Sequence, residues 1–224
     1  DWVLPIYAGP EIGVASTKAF LGQMLVLYIL CLKISKNRKD IEDSKYYNSI
    51  NNLKNLPHAI KESLKVENNI QAMAKEFLDA KGSMFLGRGL SFPIALEGAL
   101  KLKELSYLHA EGYPAGEMKH GPLALIEEGL PVIVIAPKDK YFEKTLSNMQ
   151  EVIARGGKIL FITDQKKQLM NENIRFGIRV PEVDDLLSPI LLTIPIQLLA
   201  YHVALLKGCD IDKPRNLAKS VTVE

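Results

Sequence analysis

The chain has 224 residues, with 28 Lys and Arg against 26 Asp and Glu, and 47% of it is hydrophobic. A formal net charge of +2 gives no long-range attraction to nucleic acid, so no nucleic-acid partner is expected. The composition is that of a soluble globular protein with a sizeable core. Cys31 and Cys209 lack metal-ligand or redox-motif spacing, which predicts two small buried side chains in a reduced, cytoplasmic protein.

Apolar residues at helical spacing open the chain. They predict a helix over Ala15–Ile34, followed by two more polar helices over Asp43–Leu64 and Ile70–Ala80 that have the character of a connector. Two segments, Phe20–Leu32 and Leu186–Leu206, are apolar enough to raise the question of a membrane. The first is too short to cross a bilayer and the second contains two prolines, so both are predicted to be core helices without a membrane partner.

Short apolar runs then alternate with helices. The runs predict strands at Ser83–Leu86, Val132–Ala136, Ile159–Thr163 and Ile174–Val180, and the intervening or following helices are predicted at Phe92–His109, Tyr141–Arg155 and Leu186–Lys207. Alternation of strands and helices favours a parallel sheet covered on both faces. The predicted fold class is therefore α/β, a flavodoxin-like, doubly wound three-layer domain from about residue 75 to about residue 208.

A pair of glycines follows the first predicted strand in the segment Gly87–Ser91, GRGLS. Ligands of open parallel sheets lie beyond the carboxyl ends of the strands, which makes this loop a candidate anion site. The loop lacks the spacing of a P-loop or of a dinucleotide fingerprint, and glycines at such a turn also serve backbone geometry. Both interpretations stay open, and no nucleotide is assigned to the loop.

Three charged residues form a stripe on the helix that follows. Glu97, Lys101 and Glu104 are spaced i, i+4, i+7 and so lie within about 60° of one another around the helix axis. One interpretation is a surface ladder of Glu–Lys pairs. The other is that the lysine keeps a carboxylate ionised, ready to accept a proton from carbon. The remainder of the helix is apolar, and charges on a buried helix must face a cleft or a partner.

His120 and Lys219 could add chemistry from outside this helix. Gly-Pro follows His120, which predicts a turn that presents the imidazole to solvent or to a ligand. His109 and His202 are predicted to be core residues of apolar helices, and His58 a surface residue. Fraying is the default for the C-terminal tail, but a docked tail would bring in Lys219 as a charge or as a carbonyl-reactive nucleophile.

Three blocks of the sequence resemble the isomerase half of the glutamine-fructose-6-phosphate aminotransferases, or glucosamine-6-phosphate synthases. They are GPEIGVASTKAF at 9–20, ALEGALKLKELSYLHAEGYPAGEMKHGPLALI at 95–126 and QLLAYHVALLKGCDIDKPRNLAKSVTVE at 197–224. The similarity spans essentially the whole chain and is weakest over 36–81. It implies tandem sugar isomerase (SIS) domains with a mostly parallel, five-stranded sheet. The implied domains are the end of a first SIS domain at 1–40, connector helices at 41–73, a second SIS domain at 74–215, and a tail at 216–224 that docks on the active site.

The resemblance also implies roles for individual residues. Glu104 matches the family's base, which moves a proton between the first and second sugar carbons. His120 matches the residue that assists ring opening from the neighbouring subunit, and Lys219 matches the tail lysine that can form an imine with the open-chain ketose. Four residues fall where the family lines the sugar site: Val14, Ser16, Lys101 and Ala218.

The implied reaction converts fructose 6-phosphate and glutamine-derived ammonia to glucosamine 6-phosphate, for amino-sugar and cell-envelope synthesis. It calls for no metal or redox cofactor. The implied partners are the sugar phosphate, a glutaminase domain of the same full-length chain and a second subunit of a homodimer that shares His120. The family's S-x-S-G-x-T phosphate loop and its glutaminase domain are absent from this sequence, so we expect a fragment that is weak or inactive alone.

Two other functions remain open at this point. A related SIS-domain sugar-phosphate deaminase or isomerase would use the same Glu and His chemistry but need not keep the tail DKPRNLAKSVTVE. A non-catalytic sensor of sugar phosphates would keep the fold without needing Glu104, His120 and Lys219. The substitution Glu104→Gln in the full-length protein separates the two, because only an enzyme would lose turnover.

Overall fold

A computed structural model describes residues 3–166 and 172–219 of the chain. Helices come first and then alternate with strands, in the predicted order. The helices are α1 (Lys18–Arg38), α2 (Asp43–Leu64), α3 (Glu67–Ala74), α4 (Ser91–Ser106), α5 (Phe142–Ile153) and α6 (Ser188–Leu206). The strands are β1 (Gly82–Gly87), β2 (His109–Pro114), β3 (Pro131–Ile135), β4 (Lys158–Thr163) and β5 (Ile174–Arg179). Short 3-10 helices span Lys75–Phe77, Ala115–His120 and Pro122–Leu125.

The five strands form one parallel sheet in the order β2-β1-β3-β4-β5. The chain starts next to the middle of the sheet, moves outward to β2, and then crosses back over β1 to continue with β3. The order therefore reverses between β1 and β3, which creates the crevice typical of doubly wound sheets. This arrangement confirms the predicted α/β class.

Both faces of the sheet are covered, and the central strands β1, β3 and β4 are mostly apolar. Successive side chains of a strand point to opposite faces. In β3, Ile133 and Ile135 join a core cluster with residues of α3, α4 and α6, whereas Val132 and Val134 join a cluster with residues of α5. The result is the predicted three-layer α/β/α architecture.

The edge strand β2 is the element that the sequence pattern did not predict. α4 ends at Ser106, not at His109, because Tyr107 takes a left-handed conformation with φ 60° and its N–H bonds to the Lys103 carbonyl. The segment HAEGYP then pairs with β1 along one side only, so it carries no strict apolar alternation. His109 opens this strand with a side chain that is 74% exposed, so its predicted place in the core is wrong.

The two most apolar helices differ in burial. Both are long and apolar enough to pass a length-and-hydropathy test for a membrane span, a test that core helices also pass. An 18-residue window of α6 is 67% buried, which agrees with the predicted core helix, whereas the corresponding window of α1 is 6% buried. The predicted core position of α1 is wrong in this chain, since α1 packs against α2 and α6 along one side. Cys31, on α1, is consequently exposed, and Cys209 is half-buried.

The helix α3 belongs to the core, although its composition suggested a connector. Ile70 and Met73 are completely buried, and α3 packs against α6. The domain boundaries at residues 40, 73 and 215 stay predictions, and residues 220–224 of the predicted docking tail lie outside the described residues.

Candidate functional site

The predicted stripe on α4 is an ion-paired triad. Lys101 Nζ donates a hydrogen bond of 2.7 Å to Glu104 Oε2 and lies 3.6 Å from Glu97 Oε1. The helix brings them together because residues three and four apart share a face. Lys101 is only 3% exposed and Glu97 only 8%, so the triad is no solvated surface ladder.

The two carboxylates of the triad have different surroundings. Burial raises the pKa of Glu97, and the charge of Lys101 opposes that shift only in part. Glu97 Oε1 has no hydrogen-bond partner within the described part of the chain. The Glu104 side chain is 22% exposed and holds the shorter contact to Lys101. Glu104 is therefore the carboxylate of this triad that a ligand can reach.

A second cluster forms around Glu11, upstream of α1. Its Oε1 accepts hydrogen bonds from the Thr17 amide at 3.0 Å, the Thr17 hydroxyl at 2.9 Å and the Ala19 amide at 3.4 Å. Its Oε2 accepts a bond of 3.4 Å from Ser16 Oγ. The first amides of a helix lack partners within the helix, and this carboxylate satisfies two of them from outside.

These donors decide the ionisation of Glu11. Burial by itself works to raise the pKa of this carboxyl group. The hydrogen bonds from the backbone and hydroxyl of Thr17, the amide of Ala19 and Lys219 outweigh burial and lower the pKa of Glu11 to about 2. Glu11 is therefore a fixed anion at neutral pH, suited to hold a cation.

That cation is Lys219, whose Nζ lies 3.4 Å from Glu11 Oε2. The described part of the tail reaches this position by docking on the end of α4. The Arg215 amide donates a bond of 2.8 Å to the Tyr107 hydroxyl, and the Arg215 guanidinium lies 4.1 Å from the centre of the Tyr107 ring. The tail therefore connects the C-terminal end of α4 to the Glu11 cluster, although fraying was its default expectation.

A cavity of about 360 Å³ lies between these elements. The segment before α1 forms one wall, including Glu11 and Thr17, and Leu105, Gln197 and Asp212 contribute others. The Val14 amide donates a bond of 2.9 Å to the carbonyl of Asp212, one of the lining residues. Leu105, which directly follows Glu104, is part of the wall, whereas Glu97, Lys101 and Glu104 are not among the lining residues.

The structure brings some of the predicted site residues together. It joins Lys101 to Glu104, and it joins Ser16 to Lys219 through Glu11. Among the contacts of the described residues, Lys219 pairs with Glu11 and not with Glu104. Ala218, in the tail, is exposed. His120, at the end of the 3-10 helix Ala115–His120, is also exposed. The His120 side chain is 74% exposed and its Nε2 lies 4.0 Å from Glu117 Oε2, so it is presented outward as predicted.

Glu11 and Tyr107 are the residues that the sequence analysis missed. An acidic residue shortly before a Ser-Thr pair at a helix start is the available signal for Glu11, since carboxylates favour helix N-termini. Its spacing of six residues from Thr17 is not that of a capping box, so no capping motif marks it in the sequence. No sequence signal indicates the tail contact of Tyr107, which depends on the path of residues 208–219.

No group of three His, Cys, Asp or Glu side chains within the described ranges is arranged to hold a metal ion. The candidate site consists of two lysine–carboxylate clusters, the triad on α4 and the cluster around Glu11, and Glu11 lines the cavity of about 360 Å³. Such a set can orient a polar ligand, transfer protons through Glu104 and present an amine from Lys219.

The model of the SIS domain family matches residues 76–207, and the chain belongs to this family. The matched region contains the whole sheet and α4, and so the triad. The cluster around Glu11 and the tail lie outside it.

Curated relatives resemble the chain over its whole length. The glutamine–fructose-6-phosphate aminotransferase (isomerizing) of Bartonella henselae is 53% identical over 225 residues, which are 100% of this chain and 37% of the relative. The protein of the same name from Agrobacterium fabrum is 54% identical over 226 residues, again 37% of its length. The predicted resemblance is confirmed, and the chain spans little more than a third of these relatives.

Two solved structures have folds similar to that of this chain. The C-terminal domain of glucosamine-fructose-6-phosphate aminotransferase from Francisella tularensis has a TM-score of 0.89 and 46% identity, and the match covers 93% of this chain and 58% of that one. A glucosamine-6-phosphate deaminase from Thermotoga maritima has a TM-score of 0.70 and 27% identity over 96% of this chain and 59% of that one. The fold is therefore shared by proteins named for different reactions of amino sugars.

Proposed function

We propose that the chain is the sugar-isomerising part of a glutamine–fructose-6-phosphate aminotransferase, which makes glucosamine 6-phosphate from fructose 6-phosphate and ammonia. The observation that carries the proposal is the contact of 2.7 Å between the buried Lys101 and the half-exposed Glu104, on the sequence block with the family resemblance. The identity of more than half of all positions with curated relatives of that name supports it.

In this proposal Glu104 takes a proton from the first carbon of the open-chain sugar and returns it to the second. Lys101 orients the carboxylate for both transfers by its hydrogen bond. The Lys219 amine condenses with the ketone at the second carbon to form an imine and release water, and ammonia then displaces the lysine. Val14, Ser16 and Ala218 line the sugar.

Glu11 acts in this scheme as a positioning residue. It holds the Lys219 amine 3.4 Å away while its own charge is fixed by the start of α1. Release of Lys219 from this ion pair would have to precede or accompany its attack on the ketone, because an ammonium is no nucleophile.

The proposal also includes partners and a location. His120 assists ring opening in the site of a second subunit, which its outward position permits, so the active form is a homodimer. Ammonia comes from a glutaminase domain in the same full-length chain. The protein works in the cytoplasm, where these metabolites and reduced cysteines coexist.

The test uses a chimera in which this chain replaces the matching segment of the Bartonella henselae protein. Synthesis of glucosamine 6-phosphate from fructose 6-phosphate and glutamine is measured in the chimera and in its Glu104→Gln variant. We expect kcat to fall by about 10²–10⁴ with little change in KM, because a proton transfer is lost. Glu143→Gln, which neutralises an exposed carboxylate on α5, is the matched control and should leave kcat unchanged.

An unchanged kcat in the Glu104→Gln variant would assign the chain to a non-catalytic sensor or show that Glu104 is misplaced. A chimera that releases ammonia from glucosamine 6-phosphate but makes none of this product from glutamine would favour a deaminase, in line with the Thermotoga maritima structure.

A further inference from the structure

Tyr107 occupies a backbone position that glycine or asparagine usually takes. It ends α4 with φ 60° and ψ 12°, the left-handed conformation of a helix C-terminus. A residue with a Cβ is strained in this conformation, and bulky residues adopt it rarely. Such strain is found where the side chain has a function that compensates for it. The tyrosine at the end of α4 therefore calls for a use of its ring or of its hydroxyl.

Both parts of the Tyr107 side chain contact the C-terminal tail. The hydroxyl accepts a hydrogen bond of 2.8 Å from the Arg215 amide, and the Arg215 guanidinium lies 4.1 Å from the centre of the ring. A guanidinium over an aromatic face is attracted by the negative charge of that face. Tyr107 thus holds the backbone and the side chain of one tail residue that lies 108 positions further along the chain.

The tail segment 215–219 is exposed at every residue, so buried surface does little to hold it. Arg215 bonds to Tyr107 at one end of the segment, at 2.8 Å, and Lys219 bonds to Glu11 at the other, at 3.4 Å. Within the described part of the chain, these two hydrogen bonds join the segment to the rest of the protein. The bond from Lys219 to Glu11 has to open before the amine can react. The contact with Tyr107 is the one that can persist during the reaction.

A tight turn directs the chain from this contact towards Lys219. The Leu217 amide bonds to the Pro214 carbonyl at 3.4 Å, and Asn216, inside the turn, has φ 61°. Asparagine tolerates this left-handed conformation better than most residues with a side chain. Only four residues separate Arg215 from Lys219, so fixing Arg215 confines the lysine backbone to within roughly 14 Å of it.

We propose that Tyr107 is a positioning residue for the Lys219 amine. It ties the tail to the end of the helix that carries Glu104, so that the amine and the carboxylate approach one sugar in a fixed geometry. The inference rests on the proposed function, in which Lys219 forms an imine with the ketone. Tyr107 takes no part in the bonds that change: the lysine nitrogen bonds the second carbon, and the ketone oxygen leaves as water. Its effect is on the rate, because a reacting group held near its attack position reacts faster.

The test traps the imine in the same chimera. Fructose 6-phosphate is added with sodium cyanoborohydride, which reduces the imine to a stable amine, and the mass of the tail peptide gives the rate of labelling at Lys219. Tyr107→Phe keeps the ring and loses the acceptor for the Arg215 amide. We expect it to lower the maximal labelling rate about fivefold, the effect of one hydrogen bond. The sugar concentration that gives half of the maximal rate should not change.

Two further variants frame this result. Tyr107→Leu also removes the ring beneath Arg215 and should lower the maximal labelling rate at least tenfold. Tyr47→Phe, which removes the hydroxyl of an exposed tyrosine on α2, is the matched control and should label like the unmodified chimera. The melting temperature of Tyr107→Phe should stay within about 2 °C of the unmodified chimera, because an exposed tail adds little to the stability of the core.

Unchanged labelling in both Tyr107 variants would overturn this inference and leave the proposed function intact. A lower melting temperature together with a higher half-maximal sugar concentration would also overturn it, because Tyr107 would then serve the fold. A chimera that makes glucosamine 6-phosphate without labelling at Lys219 would remove the imine and this inference, but not the role of Glu104. A chimera without product or label would overturn the proposed function itself, and this inference with it.

Discussion

Glu11 and Glu97 are both largely buried carboxylates with a lysine nearby, yet their pKa values shift in opposite directions. Their side chains are 11% and 9% exposed. For both, burial is the largest influence and works to raise the pKa. At Glu11, hydrogen bonds from Thr17, Ala19 and Lys219 outweigh burial and lower the pKa. At Glu97, the charge of Lys101 at 3.6 Å is too weak to outweigh burial, and the pKa stays raised.

The difference shows that hydrogen-bond donors can outweigh burial at Glu11, whereas at Glu97 burial and the nearby charge of Glu104 outweigh Lys101. A carboxylate with several aligned donors behaves as a permanent anion and stabilises the helix start beneath it. A carboxylate that shares one lysine with a neighbour is costly when charged. The α4 triad therefore depends on Lys101, while Lys219 is the smallest of the contributions that keep Glu11 ionised.

The largest effect is expected from Lys101→Met, which removes the cation between two carboxylates. Glu97 and Glu104 would then be left without a counter-charge, and loss of one partner of a buried ion pair costs about 3–5 kcal/mol. Urea unfolding at neutral pH should show this decrease. Lys103→Met, at an exposed position of the same helix, should stay within about 0.5 kcal/mol of the unmodified chain. A decrease below about 1 kcal/mol in Lys101→Met would mean that water, not Lys101, balances the triad.

An intermediate effect is expected from Glu11→Gln. Loss of a charged acceptor at the start of α1 should lower the free energy of unfolding at neutral pH by about 1–2 kcal/mol. The native pKa of about 2 lies below the ordinary value of 4.5 for a glutamate, so this contribution is complete above pH 4.5 and disappears as the pH falls towards 2. Urea unfolding between these pH values should show the two proteins converging.

Glu127→Gln, at an exposed position before β3, is the matched control for this pH series and should follow the unmodified chain throughout. A constant difference between Glu11→Gln and the unmodified chain down to pH 2 would show that the hydrogen bonds to Glu11 are not specific to its ionised form.

The smallest effect, of opposite sign, is expected from Glu97→Gln. The native pKa of Glu97 is raised, so the native state binds this proton more tightly and loses stability as the pH rises from 4.5 through the native value. Glutamine cannot ionise, so the variant should equal or exceed the unmodified chain by up to about 1 kcal/mol at neutral pH and match it below pH 4.5. Denaturant unfolding at two pH values measures the difference.

Glu76→Gln provides the contrasting control for this variant. Burial also works to raise the pKa of Glu76, but Lys158 and Arg175, which both bond its side chain, lower it overall. This substitution should therefore destabilise the chain at neutral pH. A loss of stability in both variants would show that Glu97 is as well compensated as Glu76, and the comparison with Glu11 would fail.

Short-range patterns in the sequence predicted much of the fold and part of the candidate site. The runs at β1, β3 and β4 are mostly apolar because both faces of a parallel sheet are buried, so they stand out in the sequence. The edge strand β5 stands out because Ile174, Phe176 and Ile178 alternate with Arg175, Gly177 and Arg179. The triad was also visible, since helical periodicity alone brings Glu97, Lys101 and Glu104 to one face. Strand β2 was invisible because an edge strand needs no apolar alternation, and its place is set by the turn at Tyr107 and by the path beside β1.

The sequence by itself determined the α/β class, the order of the elements and the charged stripe on α4, because these depend on periodicities of two and 3.6 residues that neighbouring residues carry. Only the tertiary structure decided that Lys219 pairs with Glu11 and that α3 is core while α1 is exposed. Those outcomes depend on contacts between residues far apart in the chain, such as Glu11 and Lys219, and no local pattern encodes such a distance.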